Sequence, residues 1–190
     1  MKTAFLSLDY IVDIMCEGGK IARSAQHAAD RNIIAHANRA IALARANDWL
    51  VIHVKVGFSS SYAEQPKGSP MFGRAKEFGA LDLSGPGTDF HPELDVQPQD
   101  AIVIKHRVSP FYATGLEAVL RAHRIERLII AGVSTPWAVQ SAARDAHDRD
   151  YEVLVLEPAC AAATEEDHQS SMRLLATIAR VVNVEDLLAI

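Results

Sequence analysis

The stretch Leu128-Ile129-Ile130-Ala131-Gly132-Val133-Ser134-Thr135-Pro136-Trp137-Ala138-Val139, continued by Gln140-Ser141-Ala142-Ala143-Arg144-Asp145-Ala146, decides the fold. Its first residues are a short apolar run of strand type, and its last carry a helical pattern. A strand that turns directly into a helix aims the first backbone N–H groups of that helix at one point. An anion or a developing oxyanion can be held there.

Outward from this segment, apolar runs alternate with helical patterns. Thr3 to Leu8 predicts a strand, and Ala25 to Asn47 one long helix with Ile33, Ile34, Ala37, Ala40, Ile41 and Leu43 on or near one face. Trp49 to Val56 predicts the next strand, Ala101 to Ile104 a short one ending at Lys105, and Thr114 to His123 a helix. Leu128 to Val133 is then a strand, Trp137 to Asp148 a helix and Tyr151 to Leu156 a strand. Thr164 to Ala179 predicts a helix capped by Thr164, with Glu165, Glu166 and Asp167 in the first turn where they favour the dipole. Val181 to Val184 closes the set. Runs of β-branched residues with little alternation predict strands buried on both faces. The fold class is therefore α/β, a mostly parallel sheet with helices on both faces.

Ser59 to Asp100 breaks the rhythm, holding five of the ten glycines and five of the eight prolines. Phe72 to Leu81 predicts one short helix within it. A stretch this long is read either as a lid or pocket wall, or as an ordered surface excursion or subunit contact.

At 190 residues the chain predicts a single domain, 1–190, with a substantial core. The net charge of −5, with no basic stripe, argues against a nucleic-acid partner. No apolar run approaches the ~20 residues of a membrane span. The segment from Met1 to Asp9 is too short and too soon polar for a signal peptide, so a cytoplasmic location is expected. Cys16 and Cys160 are expected to be reduced, inert thiols, Cys160 lying just past an apolar strand.

In open α/β sheets, ligands bind outside the carboxyl ends of the strands. Asp9, Lys105 and the turn from Ser134 to Ala138 each follow a strand, so three distant segments can converge on one pocket. A carboxylate such as Asp9 serves there as general base or, with a raised pKa, as general acid. His53 and His91 stand isolated. A lone histidine is more often structural than a ligand, so no metal is expected.

Asp9 at the end of the first strand, the series Lys105, Arg107, Ser109 and Phe111, and the turn Gly132 to Thr135 with Ala142 to Ala146 together resemble the isochorismatase-like (cysteine hydrolase) family. The loop residues Asp13, Glu17, Gly18 and Gly19 resemble its acidic Gly-Gly loop with a different spacing. The family's Gln-Asn pair is here Ile11-Val12. The resemblance implies a three-layer Rossmann-like fold and hydrolysis of a small molecule. It implies no cofactor, and assembly as a homodimer or homotetramer. It gives Asp9 and Lys105 catalytic roles, with the lysine supporting the acid, and aligns Val133-Ser134 with a cis peptide. The N–H groups of Ser134 and Ala138 would then form the oxyanion hole. Tyr10, Arg107, Phe111, Tyr112 and Trp137 become substrate-binding candidates, with core packing an equal alternative for Phe111 and Tyr112. Nicotinamidase members carry an Asp-x-His…His metal cluster after the second strand. Here that region is His53-Val54-Lys55-Val56-Gly57-Phe58, without the acid or the second histidine.

The departure falls where it matters most: the nucleophilic cysteine of the family aligns with Ala138. A methyl group forms no thioester, so nucleophilic catalysis by this residue is excluded. The alanine is read as a Cys→Ala replacement, as natural in a member that uses Asp9 as an acid on a vinyl ether or similar bond, or as natural in a relative that binds without turnover. Pro136 and Trp137 also differ from the commonest family residues, which favours natural divergence.

Overall fold

Every strand of the central sheet runs parallel to its neighbours. The computed structural model describes residues 1–190. Strands β1 (Thr3–Leu8), β2 (Leu50–Val56), β3 (Ala101–Lys105), β4 (Arg127–Val133), β5 (Glu152–Ala161) and β6 (Arg180–Val182) lie in the order β3-β2-β1-β4-β5-β6. The helices are α1 (Val12–Met15), α2 (Ala25–Asp30), α3 (Ile33–Ala46), α4 (Ala75–Phe78), α5 (Leu116–Ala122), α6 (Gln140–His147) and α7 (Glu165–Leu175). The chain winds outward from β1 to β3, returns to β4 beside β1, and winds the other way. Right-handed crossovers place the helices of the two halves on opposite faces, which makes the three layers. No helix is long and apolar enough to cross a membrane.

All six residues of β1 are buried, as two-sided cover demands. At β3 the expectation of burial on both faces fails: Ile102 and Ile104 are 53% and 42% exposed, while Val103 and Lys105 are buried. β3 is the edge strand, and one of its faces extends beyond the covering elements. The single long helix expected from Ala25 to Asn47 is two helices, broken where Asn32 takes the left-handed conformation at φ 51°. Asparagine tolerates that region because its short side chain bonds locally. β5 runs on to Ala161, so Cys160 lies inside a strand rather than past one. The helix expected over Phe72 to Leu81 shrinks to α4, ended by Gly79 at φ 59°. The Ser59 to Asp100 stretch is an ordered excursion with a small core of its own, in which Phe58, Tyr62, Phe72 and Leu81 pack with Ile11 and Val56. The buried carboxylate of Asp13 pins it to the body, accepting the Leu81 N–H at 2.7 Å.

The winding reverses between β1 and β4, and such a switch point leaves a crevice at the carboxyl ends of the two strands. Leu8 pairs with Gly132 across it. Gly132 has φ 146°, and a Cβ there would stand 2.3 Å from the Leu8 carbonyl oxygen and 2.6 Å from its Cβ. Only glycine lets the two strands close at this point. Gly132→Ala should therefore lower stability by about 3 kcal/mol or more, from overpacking and backbone strain together. Urea unfolding measures this, and an unchanged midpoint would contradict the close approach.

Candidate functional site

Asp9 leaves β1 with φ 57°, a left-handed turn that an aspartate tolerates, and its carboxylate lies sideways along the sheet edge. It reaches across the end of β2 to β3. One oxygen accepts the Val56 N–H at 2.8 Å, and the other stands 2.7 Å from Lys105 Nζ. Lys105 also donates to the Val108 carbonyl at 2.9 Å. Both side chains are almost wholly out of water, at 4% and 2% exposed. Burying two charges costs several kcal/mol each unless they are paired and hydrogen-bonded, and here they are both. Burial pushes the Asp9 carboxyl above its usual range; the Lys105 charge and the two hydrogen bonds pull it back only in part.

On the other side of Asp9, β4 ends at the turn. The Val133–Ser134 peptide is cis. Thr135–Val139 form one wide π-helical turn that runs directly into α6. The Ser134 N–H donates to no atom of the chain. Ala138 is buried, and the neighbouring Trp137 is 57% exposed. Asp9, Lys105 and the turn that carries Ala138 thus come from the ends of β1, β3 and β4 to one edge of the sheet, with β2 between β1 and β3.

The substrate-binding candidates divide. Tyr112 is exposed and, with Arg107, His106, Glu64 and Ala113, lines a shallow pocket of about 120 Å³. Arg107 is half-buried and spends one nitrogen on the carbonyls of Glu64 and His106, at 2.9 and 2.6 Å. Tyr10, a substrate-binding candidate, lies instead in the core, and Phe111 takes the core-packing alternative. Tyr10 is buried in the core with its hydroxyl donating to the Ala159 carbonyl, and burial raises its pKa. Phe111 is buried against Tyr151 and carries the Arg149 guanidinium over its ring, 4.6 Å from the centroid. The residue after a strand end turns inward or outward according to the loop that follows, and these two loops turn both rings inward.

His53 is buried and far from isolated. Its Nδ1 meets Ser7 Oγ at 2.8 Å and its Nε2 meets Asp100 at 3.1 Å, and Arg45 pairs with the same carboxylate at 2.7 Å. Burial lowers its pKa in spite of Asp100. No group of three His, Cys, Asp or Glu side chains is arranged to hold a metal ion. Cys160 is buried beside Gly132, with its thiol pushed up to about 12 by burial.

Sequence reasoning missed one chain of polar groups beneath the turn. His168, on α7 and fully buried, meets Thr135 Oγ1 at 2.9 Å through Nδ1 and Glu157 at 2.8 Å through Nε2. Glu157, on β5, pairs in turn with Arg31. The His168 hydrogen bond comes first among the causes that lower the Glu157 pKa. The only local signal was a histidine on the inner face of a helix, which on its own names no partner.

Comparison with known proteins agrees with this architecture. The family model of the isochorismatase domain matches residues 3–186. An uncharacterized isochorismatase family protein of Escherichia coli, YecD, is 34% identical over 166 residues, covering 85% of this chain and 84% of that protein. The ureidoacrylate amidohydrolase RutB of Acinetobacter baylyi is 31% identical over 153 residues, which span 74% of this chain and 62% of that longer protein. Among solved structures, an isochorismatase-like hydrolase from Alkaliphilus metalliredigens superposes with a TM-score of 0.84 at 25% identity, over 100% of this chain and 98% of the other.

Proposed function

Because the chain belongs to the isochorismatase family, we propose that it is a hydrolase of a small molecule, cleaving an amide-type C–N bond or a vinyl ether without a protein nucleophile. The observation that carries this reading is the buried Asp9–Lys105 pair at the carboxyl edge of the sheet; the resemblance aligns Ala138, a methyl group, with the family's nucleophile. Burial raises the Asp9 carboxyl above its ordinary value, which is the direction that suits a carboxyl to acid–base work. For an amide, Asp9 takes a proton from water as the water adds to the carbonyl carbon. The N–H groups of Ser134 and Ala138 hold the oxyanion. Asp9 then returns the proton to the departing nitrogen. For a vinyl ether, Asp9 delivers its proton to carbon and water adds to the oxocarbenium ion that results. In both cases Lys105 holds the carboxylate in place. Arg107 and Tyr112 are the groups proposed to meet the substrate, with Trp137 beside the turn. A cytoplasmic homodimer or homotetramer without cofactor belongs to the same reading.

A second reading, a relative that binds a small acid without turning it over, is favoured by the methyl group at 138 alone. One screen separates the two. Amides, ureides and isochorismate are assayed with the unchanged protein and with Asp9→Asn, which keeps the acceptor for Val56 but loses the proton. Turnover that falls about 10²- to 10⁴-fold in Asp9→Asn is the expected result. Tight binding of small acids with no turnover of any compound would establish the binding protein instead.

A further inference from the structure

The turn that carries Ser134 and Ala138 has one side-chain anchor, and it runs to α7 and not to the Asp9–Lys105 pair. Of the side chains from Ser134 to Val139, only Thr135 makes a hydrogen bond, to Nδ1 of His168. Pro136 has no N–H to offer, and Trp137 projects outward. The direction of the anchor follows from the acceptor at its far end. The Glu157 carboxylate can only accept, so His168 donates to it through Nε2, and in the neutral ring Nδ1 then accepts from the Thr135 hydroxyl. Glu157 is held by Arg31, whose Nε donates to the carbonyl of Cys160 at 3.0 Å. Cys160 is the ladder partner of Gly132, two residues before the cis turn. The polar chain thus starts at the turn, crosses α7 and β5, and returns to the strand from which the turn springs.

We propose that His168 is a positioning residue, acting through Thr135, that sets the orientation of the 134–138 turn and so aims its N–H groups and the side chain at position 138 toward Asp9 and Lys105. This rests on the proposed reading of the turn as the oxyanion site. A donor displaced by 1 Å loses most of its value at a site whose work is electrostatic. Thr135 and His168 are both fully buried. Loss of either partner therefore removes the one side-chain hold on the turn and leaves the other partner's polar atom without a bond. Nothing else polar on the turn takes over.

The test reads orientation, not stability. A thiol introduced by Ala138→Cys serves as the probe, and the pH dependence of its alkylation by iodoacetamide gives its pKa. A thiol aimed at a lysine and at the open N–H groups of a turn titrates below ~7.5, an ordinary one near ~8.5. The expected midpoint is low in Ala138→Cys and in Ala138→Cys with Thr135→Ser, which keeps the hydroxyl. It should rise by about one unit with Thr135→Val, which matches threonine in shape. His168→Phe should do the same, and it stands in for the valine variant if that fails to fold. Thermal melting of each protein is recorded alongside. A low midpoint shared by all of these proteins overturns the positioning role while leaving the reading of the turn intact, whatever happens to the melting temperature. An ordinary midpoint already in Ala138→Cys overturns both.

Discussion

Replacing Lys105 by methionine should cost about 3–5 kcal/mol of folding stability at neutral pH, because it leaves a carboxylate buried without its charge partner. Methionine fills a similar volume without the charge. The loss should also depend on pH in a stated direction. Burial raises the Asp9 carboxyl above the ordinary value of 3.8, so the folded state binds this proton more tightly than the unfolded chain does. The contribution of such a group is full below the unfolded value and is lost as pH rises through the folded one. In the unchanged protein Lys105 opposes that loss. Without it the carboxyl rises further and the loss extends to higher pH. Urea unfolding at pH 7.5 and pH 5 should therefore show a large deficit at the higher pH and a smaller one at the lower, where the lone carboxyl takes a proton. A deficit equal at both would mean that packing, or the bond to Val108, is what lysine supplies here.

The thiol introduced by Ala138→Cys should be the most reactive in the molecule, by a wide margin over Cys160. Cys160 has its pKa pushed up to about 12, so on the order of one part in 10⁵ is thiolate at pH 7. Burial raises Cys16 as well. Lowering a thiol from ~8.5 to ~7.5 increases the thiolate fraction at pH 7 roughly eightfold, while the drop in basicity takes back about threefold in nucleophilicity. Against an ordinary exposed thiol the gain in rate is thus only about threefold, and the titration midpoint is the sharper measure. Against Cys160 the gain exceeds about 10³-fold, since burial also blocks access. Mass spectrometry after brief alkylation should find the label at position 138 before it appears at 16 or 160. A label that reaches Cys16 first would mean that the electrostatic site has decayed together with the nucleophile.

Much of this architecture was legible in the sequence for local reasons. Apolar runs marked the inner strands β1, β2 and β4 and the first part of β5, since strands buried on both faces need continuous hydrophobic residues. Elements that depend on neighbours read less well. The Asn32 break sits inside a helical pattern whose apolar spacing resumes one residue later, so periodicity alone joins α2 and α3. The alternation in β3 hides within Ile102-Val103-Ile104, because all three side chains are apolar and only the missing cover distinguishes them.

The candidate site divides along the same line. That Asp9, Lys105 and the Ser134 to Ala138 turn each follow a strand is a local fact, and parallel strands bring such positions to one edge of the sheet. The alanine at 138 is likewise plain in the sequence. Only the tertiary structure decided where the side chains after those strands turn. Tyr10 and Phe111 go into the core, while Tyr112 and Trp137 face solvent. It alone joined Thr135 to His168, 33 residues on, and His53 to Asp100, 47 residues on. The reason is physical: a strand or a helix is set by residues within one or two turns of each other. The partner of a buried polar group is set by whichever distant element packs over it.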